Sequence, residues 1–190
     1  AVGSLRNRGH TPRDEVALLL AASQEEDPAT IQEVLERCRR EFGLGVTVDE
    51  VLMPALRQVG LWWERGRCDI GQERLTTEAA RGWLARTTTL ASPDRVDPPI
   101  LLTCGPRDTH TLGLEALAAL LADAGRGSRL LGARVPKHAL IAAVVATSPS
   151  AVVLVSHLQT HRRSAVDVLD AVGEANIPLF FAGNAFATAT

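Results

Sequence analysis

The sequence predicts two successive packing units: an N-terminal four-helix bundle over residues 11–91, then a doubly wound α/β domain with a parallel sheet over residues 99–190. Three observations predict this order. Apolar residues recur at helical spacing from Thr11 to about Ala91. The polar, proline-rich stretch ASPDRVDPP at 91–99 then interrupts that period and reads as a linker. Beyond it, short apolar runs alternate with stretches of helical period, which is the signature of parallel strands covered by helices. A length of 190 residues and a hydrophobic fraction of 46% suit one large or two small packed cores.

The first helix starts at Thr11 and places Val16, Leu19 and Leu20 on one stripe. The second starts at Asp27 as N-cap with Pro28 at the first helical position. It buries Ile31, Val34, Leu35 and Cys38, and stops at Gly43. Gly43 to Val46 is expected to be a turn. Thr47 and Glu50 then make a capping box for a third helix, which carries Val48, Val51, Leu52, Leu56, Val59 and Trp63 as far as Gly66, with Pro54 as a kink site. The fourth runs from Gly71 or Gln72 to Leu90 on Leu75, Ala79, Trp83 and Leu84, completing the bundle. In the second unit the runs ILLTC, SRLLGARV, AVVLVS and PLFFAG are the strands, and Leu114, Leu117, Ala118 and Leu121 mark the helix between the first two. A doubly wound domain would normally add a helix after the fourth strand, so the chain is expected to stop short of it. The initial Ala reads as a trimmed start.

A formal net charge of −2 and a pI near 6.2 remove the broad electrostatic attraction of a self-sufficient nucleic-acid binder. No helix-turn-helix is visible, so direct nucleic-acid binding by this chain alone is not expected. Cys38, Cys68 and Cys104 are odd in number, far apart and without metal-type spacing, which points to reduced thiols and a cytoplasmic setting. No apolar run approaches a membrane span, and the start, with Arg6, Arg8 and Arg13, lacks an apolar signal core. There is no nucleophile elbow and no glycine-rich phosphate loop. The third strand ends in Ser156 and His157, where a phosphate-receiver domain needs an aspartate. An enzyme is therefore not expected.

The stretch RDTHTLG at 107–113 lies between the first strand and its helix, where open parallel sheets collect ligands. His110 could bind a metal through one ring nitrogen while Asp108 holds the other, and Gly113 would let a bulky ligand approach the backbone. The same motif also suits a plain helix start, with Asp108 as cap and His110 on the surface. VSHL at 155–158 and FAGN at 181–184 end later strands at the same sheet edge. There the small Ser156 and Gly183 can border a narrow slot, or merely precede turns. His138, His157 and His161 have no carboxylate partner at ligand spacing and read as surface or core residues, with His157 near the slot.

Taken together, Asp108-x-His110-x-x-Gly113, Ser156-x-Leu158 and Ala182-Gly183 resemble the signature of cobalamin-binding domains of the methionine synthase and mutase type, whose sheet is flavodoxin-like. The resemblance implies that His110 is the lower ligand of cobalt in place of the cofactor's dimethylbenzimidazole and that Asp108 orients it. It also implies that the displaced nucleotide tail enters a slot lined by Ser156, Leu158 and Gly183. Ala182 stands where the family has glycine and would narrow the slot slightly.

WERGRCDIGQER at 63–74 is similar to the Trp-x9-Glu-His segment of CarH-type light-sensing regulators, in which Trp and Glu accommodate the adenosyl group. Trp63 and Glu73 fall at the matching positions. A flat indole can cover an organic upper ligand, and a carboxylate can accept from its hydroxyl or amine groups. The plainer reading is a helix end with Trp62 or Trp63 in the core. Glu64 and Arg74 depart from the family's histidines, so a bis-histidine light state is not expected, and Arg74 could pair with Glu73 or Glu64. The resemblance covers residues from about 14 to 186. It implies a cobalamin-binding photoreceptor or ligand sensor that controls transcription through altered association, as a dimer or tetramer or with a regulatory protein partner. Adenosylcobalamin is the expected form and methylcobalamin the alternative. The competing functions are a corrinoid methyl-carrier subunit of a methyltransferase system and an interaction module that no longer binds the cofactor.

Overall fold

The computed structural model describes residues 11–91 and 98–187. Most of the expected linker at 91–99 and the arginines Arg6 and Arg8 lie outside the described residues. The chain divides into two compact units, with the division inside the last bundle helix, between Trp83 and Leu84.

In the first unit, α1 (Pro12–Gln24) begins at the Thr11 cap, whose hydroxyl accepts from the Asp14 amide while the Asp14 carboxylate accepts from the Thr11 amide. Its buried stripe is Glu15, Leu19, Ala22 and Ser23: Leu19 is buried as expected, whereas Val16 and Leu20 are only partly buried. A carboxylate can sit in that stripe because Arg37 of α2 (Pro28–Phe42) grips Glu15 with two nitrogens, Nε at 3.2 Å. Helix α2 begins as the sequence predicts: Asp27 accepts from the amides of Ala29 and Thr30, Pro28 follows, and Ile31, Val34, Leu35 and Cys38 are buried. Gly43 ends it at φ +82, a conformation that costs a side chain dearly and glycine little.

The next element corrects the sequence reading. Helix starts at once with α3 (Leu44–Val46), without an intervening turn. Thr47 is an interior residue whose hydroxyl donates to the Gly43 carbonyl and caps nothing. Thr47–Leu52 winds as a wider π-type segment and runs directly into α4 (Met53–Glu64). Pro54 explains the widening, because its ring clashes with the carbonyl four residues back in an ordinary α-turn and it has no amide to donate. Val48, Val51, Leu52, Ala55 and Val59 are buried, whereas Trp63 is 50% exposed and therefore not core. Helix α5 (Ile70–Ala91) is capped by Asp69, which accepts from the Gln72 amide, and buries Thr76, Ala79, Ala80 and Trp83. Ser23 to Thr76 (2.7 Å), Gln32 to the Ala79 carbonyl (3.1 Å) and the Trp83 indole to Glu36 (3.3 Å) tie α5 to α1 and α2.

The second unit is a four-stranded parallel sheet in the order β2-β1-β3-β4: β1 (Ile100–Cys104), β2 (Ser128–Gly132), β3 (Ala151–Val155) and β4 (Leu179–Ala182). The helices between them are α6 (Leu112–Asp123), α7 (Lys137–Thr147) and α8 (Arg162–Gly173). Leu114 and Ala118 of α6 pack on Leu102 and Cys104 of β1. Leu140 and Val144 of α7, with Ala165, Val168 and Val172 of α8, pack on Leu101, Val152 and Leu154 from the opposite face. Sheet and helices are thus doubly wound as predicted, with β1 and β3 central and buried. β4 is followed by a short turn at Asn184–Phe186, and its Phe180 and Phe181 are 58% and 59% exposed. Because the chain leaves β1 toward one face and β3 toward the other, a crevice opens beyond their carboxyl ends.

Candidate cofactor site

The loops that follow β1 and β3 meet at that crevice. The Gly105 amide donates to the Val155 carbonyl (3.0 Å), continuing the ladder past Cys104, and the Asp108 amide closes a turn on the Gly105 carbonyl (3.0 Å). The Asp108 carbonyl accepts from the Arg134 amide (2.9 Å), so its main chain is held by the segment after β2. These bonds aim the Asp108 side chain inward, where it is buried. One carboxylate oxygen accepts from the His110 amide (2.9 Å) and lies 2.8 Å from His110 Nδ1; the other accepts from the His157 amide.

Burial by itself would raise the Asp108 pKa and is the largest single influence. The donors from His110 and His157 together outweigh it and hold the carboxyl at about 2. Asp108 is therefore an anion across the physiological range, and an anion beside Nδ1 keeps the proton of the neutral imidazole there. That leaves the lone pair on Nε2, in a side chain that is 60% exposed. No side chain caps α6, so Asp108 is not its N-cap, while His110 is exposed as a surface residue would be; a carboxylate on Nδ1 is also the arrangement that orients a metal-binding histidine.

Ser156 is fully buried, and its hydroxyl has no hydrogen-bond partner, which is costly unless a ligand or water supplies one. Gly113 opens onto free space: a Cβ there would meet nothing within 4 Å. Leu158 is exposed. Gly183 has a requirement of its own, at φ +104. A Cβ on it would lie 2.2 Å from the Ser156 carbonyl oxygen, because the Ser156 amide bonds to Ala182 and the Ser156 carbonyl accepts from Ala185. Backbone proximity, in addition to any slot, demands glycine there. In the helical unit Trp63 lies at the end of α4, and Glu73 accepts from the Thr77 hydroxyl (3.0 Å) in the first turn of α5. Arg74 makes no ion pair with Glu73 or Glu64 among the described residues.

His157 is the residue that the sequence reading undervalued. It has a carboxylate partner after all: its amide bonds to Asp108, its Nδ1 is 3.5 Å from Asp108, and its ring centroid is 4.9 Å from that of His110. Burial is the main reason its pKa is lowered, with His110 adding to the effect and Asp108 opposing it. Its place directly after Ser156 in VSHL was the available signal. His138 is on the surface, one of the two settings open to it from the sequence, and the three cysteines are free. Burial chiefly, with the charges of Asp108 and Glu115, pushes the Cys104 thiol up to about 12, so it is no thiolate ligand.

An exposed imidazole with a fixed tautomer, an unsatisfied buried hydroxyl at the end of β3 and open space over Gly113 suit a large planar metal cofactor. Residues 98–190 match the B12 binding domain family, and residues 17–87 match a second family with the same description. The chain thus belongs to the cobalamin-binding proteins built from B12 binding domains, and the residues present fit that cofactor. Among particular proteins it is 34% identical, over 131 residues, to the "HTH-type transcriptional repressor CarH" of Myxococcus xanthus. That match covers 69% of this chain and 44% of the relative, so the chain spans less than half the length of that protein. The monomethylamine corrinoid protein of Methanosarcina barkeri shares the fold, with a TM-score of 0.72 over 93% of this chain and 87% of that one, at 16% identity. Among the described residues no helix is long and apolar enough to cross a membrane.

Proposed function

We propose that this chain is the sensory part of a cytoplasmic, adenosylcobalamin-dependent photoreceptor that controls transcription by changing its association state, and that it is not an enzyme. The observation that carries the cofactor half of this reading is the Asp108–His110 pair, with its Nε2 lone pair directed away from the anion that fixes it. Ser156 and the small residues beside it would receive the nucleotide tail, with Leu158 at the rim. Bound cobalamin would supply a light-labile cobalt–carbon bond.

The sensory half rests on the helical unit and on the relationship to CarH. Trp63 is half exposed, so a flat apolar ring is free to cover an organic upper ligand, and Glu73 is within reach of solvent as an acceptor. A ligand that favours one of two packing states shifts the population by its differential affinity, and the states that bury different surfaces differ in oligomer or partner. Residues 11–91 and 99–190 would be the two bodies that repack. Contact with DNA would come from a domain other than those described here.

The test is to load the chain with adenosylcobalamin in the dark and record its absorption spectrum and its mass in solution before and after green light. Both are expected to change. One unchanged spectrum with one unchanged mass contradicts light sensing. Selective loading of methylcobalamin, with turnover on adding a methyltransferase, would support the methyl-carrier reading in its place.

A further inference from the structure

We infer that Asp108, His110 and His157 form a binding site for a divalent transition-metal cation of the zinc type in the cobalamin-free chain. A carboxylate oxygen of Asp108 and one ring nitrogen of each histidine all lie within 4.8 Å of one another. His110 Nδ1 is 2.8 Å and His157 Nδ1 3.5 Å from the two Asp108 oxygens. His157 Nδ1 is a buried nitrogen with no hydrogen-bond partner, so one donor is already desolvated and unused.

The scaffold is rigid where a metal site needs rigidity. Asp108 and His157 follow β1 and β3, which pair in register through Cys104 and Val155, and the His110 and His157 amides hold the carboxylate. Zinc takes nitrogen and oxygen donors at about 2.0–2.2 Å, so donors around it must be separated by roughly 3–3.6 Å. The His110 side chain is 60% exposed and can rotate to close the difference. Two imidazoles and one carboxylate leave a fourth position for water, as in open zinc sites.

The site has a consequence for cobalamin, and this part alone rests on the proposed function. A cation on His110 Nδ1 takes the place of the proton there, and the neutral ring keeps that proton on Nε2. Nε2 then has no lone pair for cobalt. Cation and histidine-ligated cobalamin exclude one another, and His157 sets how strongly the cation competes.

The experiment uses the cobalamin-free chain, stripped with chelator and titrated with zinc chloride by calorimetry, with retained metal counted by mass spectrometry. The expected result is one zinc per chain, unchanged in Cys68→Ala and His138→Ala. Removing even an outer partner of a metal ligand costs about 10–100-fold in affinity, so His157→Ala and His110→Ala should each lose at least that much. Zinc-edge absorption on the unmodified chain, which needs no variant to fold, should show two imidazoles, oxygen and no sulfur. No retained zinc, sulfur ligation, or undiminished affinity in His157→Ala overturns the site. Zinc should also block the appearance of the histidine-ligated cobalamin spectrum until chelator is added, and simultaneous full loading of both overturns the exclusion. Zinc binding in a chain that never takes up cobalamin leaves the site standing and removes the proposed function; cobalamin uptake without zinc binding does the reverse.

Discussion

The charge on Asp108 can be tested quantitatively. Its carboxyl is held at about 2 against an ordinary 3.8, so it stabilises the fold above pH 3.8, where it is ionised in both folded and unfolded chains. That contribution is lost as pH falls from 3.8 through 2, because the unfolded chain takes up the proton first. The depression corresponds to about 2 kcal/mol. Asp108→Asn removes the titration, so the stability difference between the parent and this variant should shrink by about 2 kcal/mol between pH 6 and pH 2. Trp62, Trp63 and Trp83 all precede residue 84, so tryptophan fluorescence follows the helical unit only. Unfolding by urea should therefore be followed through amide resonances of β1 and β3, with the carboxyl resonance of Asp108 titrated alongside. A carboxyl that titrates at 3.8 or above, or a stability difference independent of pH, refutes the reasoning.

Three further outcomes follow from particular contacts. His110→Ala should weaken cobalamin retention and give a base-off spectrum, because the tail cannot return to cobalt while it fills the slot; unchanged colour and affinity contradict the assignment. Trp63→Ala should loosen adenosylcobalamin more than hydroxocobalamin, since only the former has an organic upper group, and equal losses would place Trp63 outside the site. Gly183→Ala combines a positive φ with a Cβ 2.2 Å from the Ser156 carbonyl oxygen, so it should cost about 2–5 kcal/mol in the α/β unit. Amide exchange in β3 reads that loss, and native protection there would rule out the clash.

What was legible in the sequence was local. Asp27, Pro28 and Gly43 delimit α2 because cap, first turn and stop each use chemistry within three residues, and the four strands announce themselves as short apolar runs. Asp108 and His110 could be paired for the same reason, being two residues apart. The misread start of the third helix also has a local cause: Thr47 looks like a cap, but Gly43 alone turns the chain, and the threonine hydroxyl is spent on the Gly43 carbonyl. Burial of Glu15 was invisible because its partner Arg37 is on another helix. His157 was hidden by the same kind of distance, since only the adjacency of β1 and β3 carries it to Asp108, 49 residues earlier.

The claim on which most depends is that His110 binds cobalt from below. Electron paramagnetic resonance of the chain loaded with cobalamin and reduced to Co(II) tests it directly, using protein labelled with nitrogen-15 only in histidine. The account predicts that the nitrogen splitting of the cobalt lines changes from triplets in unlabelled protein to doublets in labelled protein, and that His110→Ala abolishes this change. Triplets that persist in the labelled protein would mean that the cofactor's own benzimidazole remains on the metal, and would contradict it.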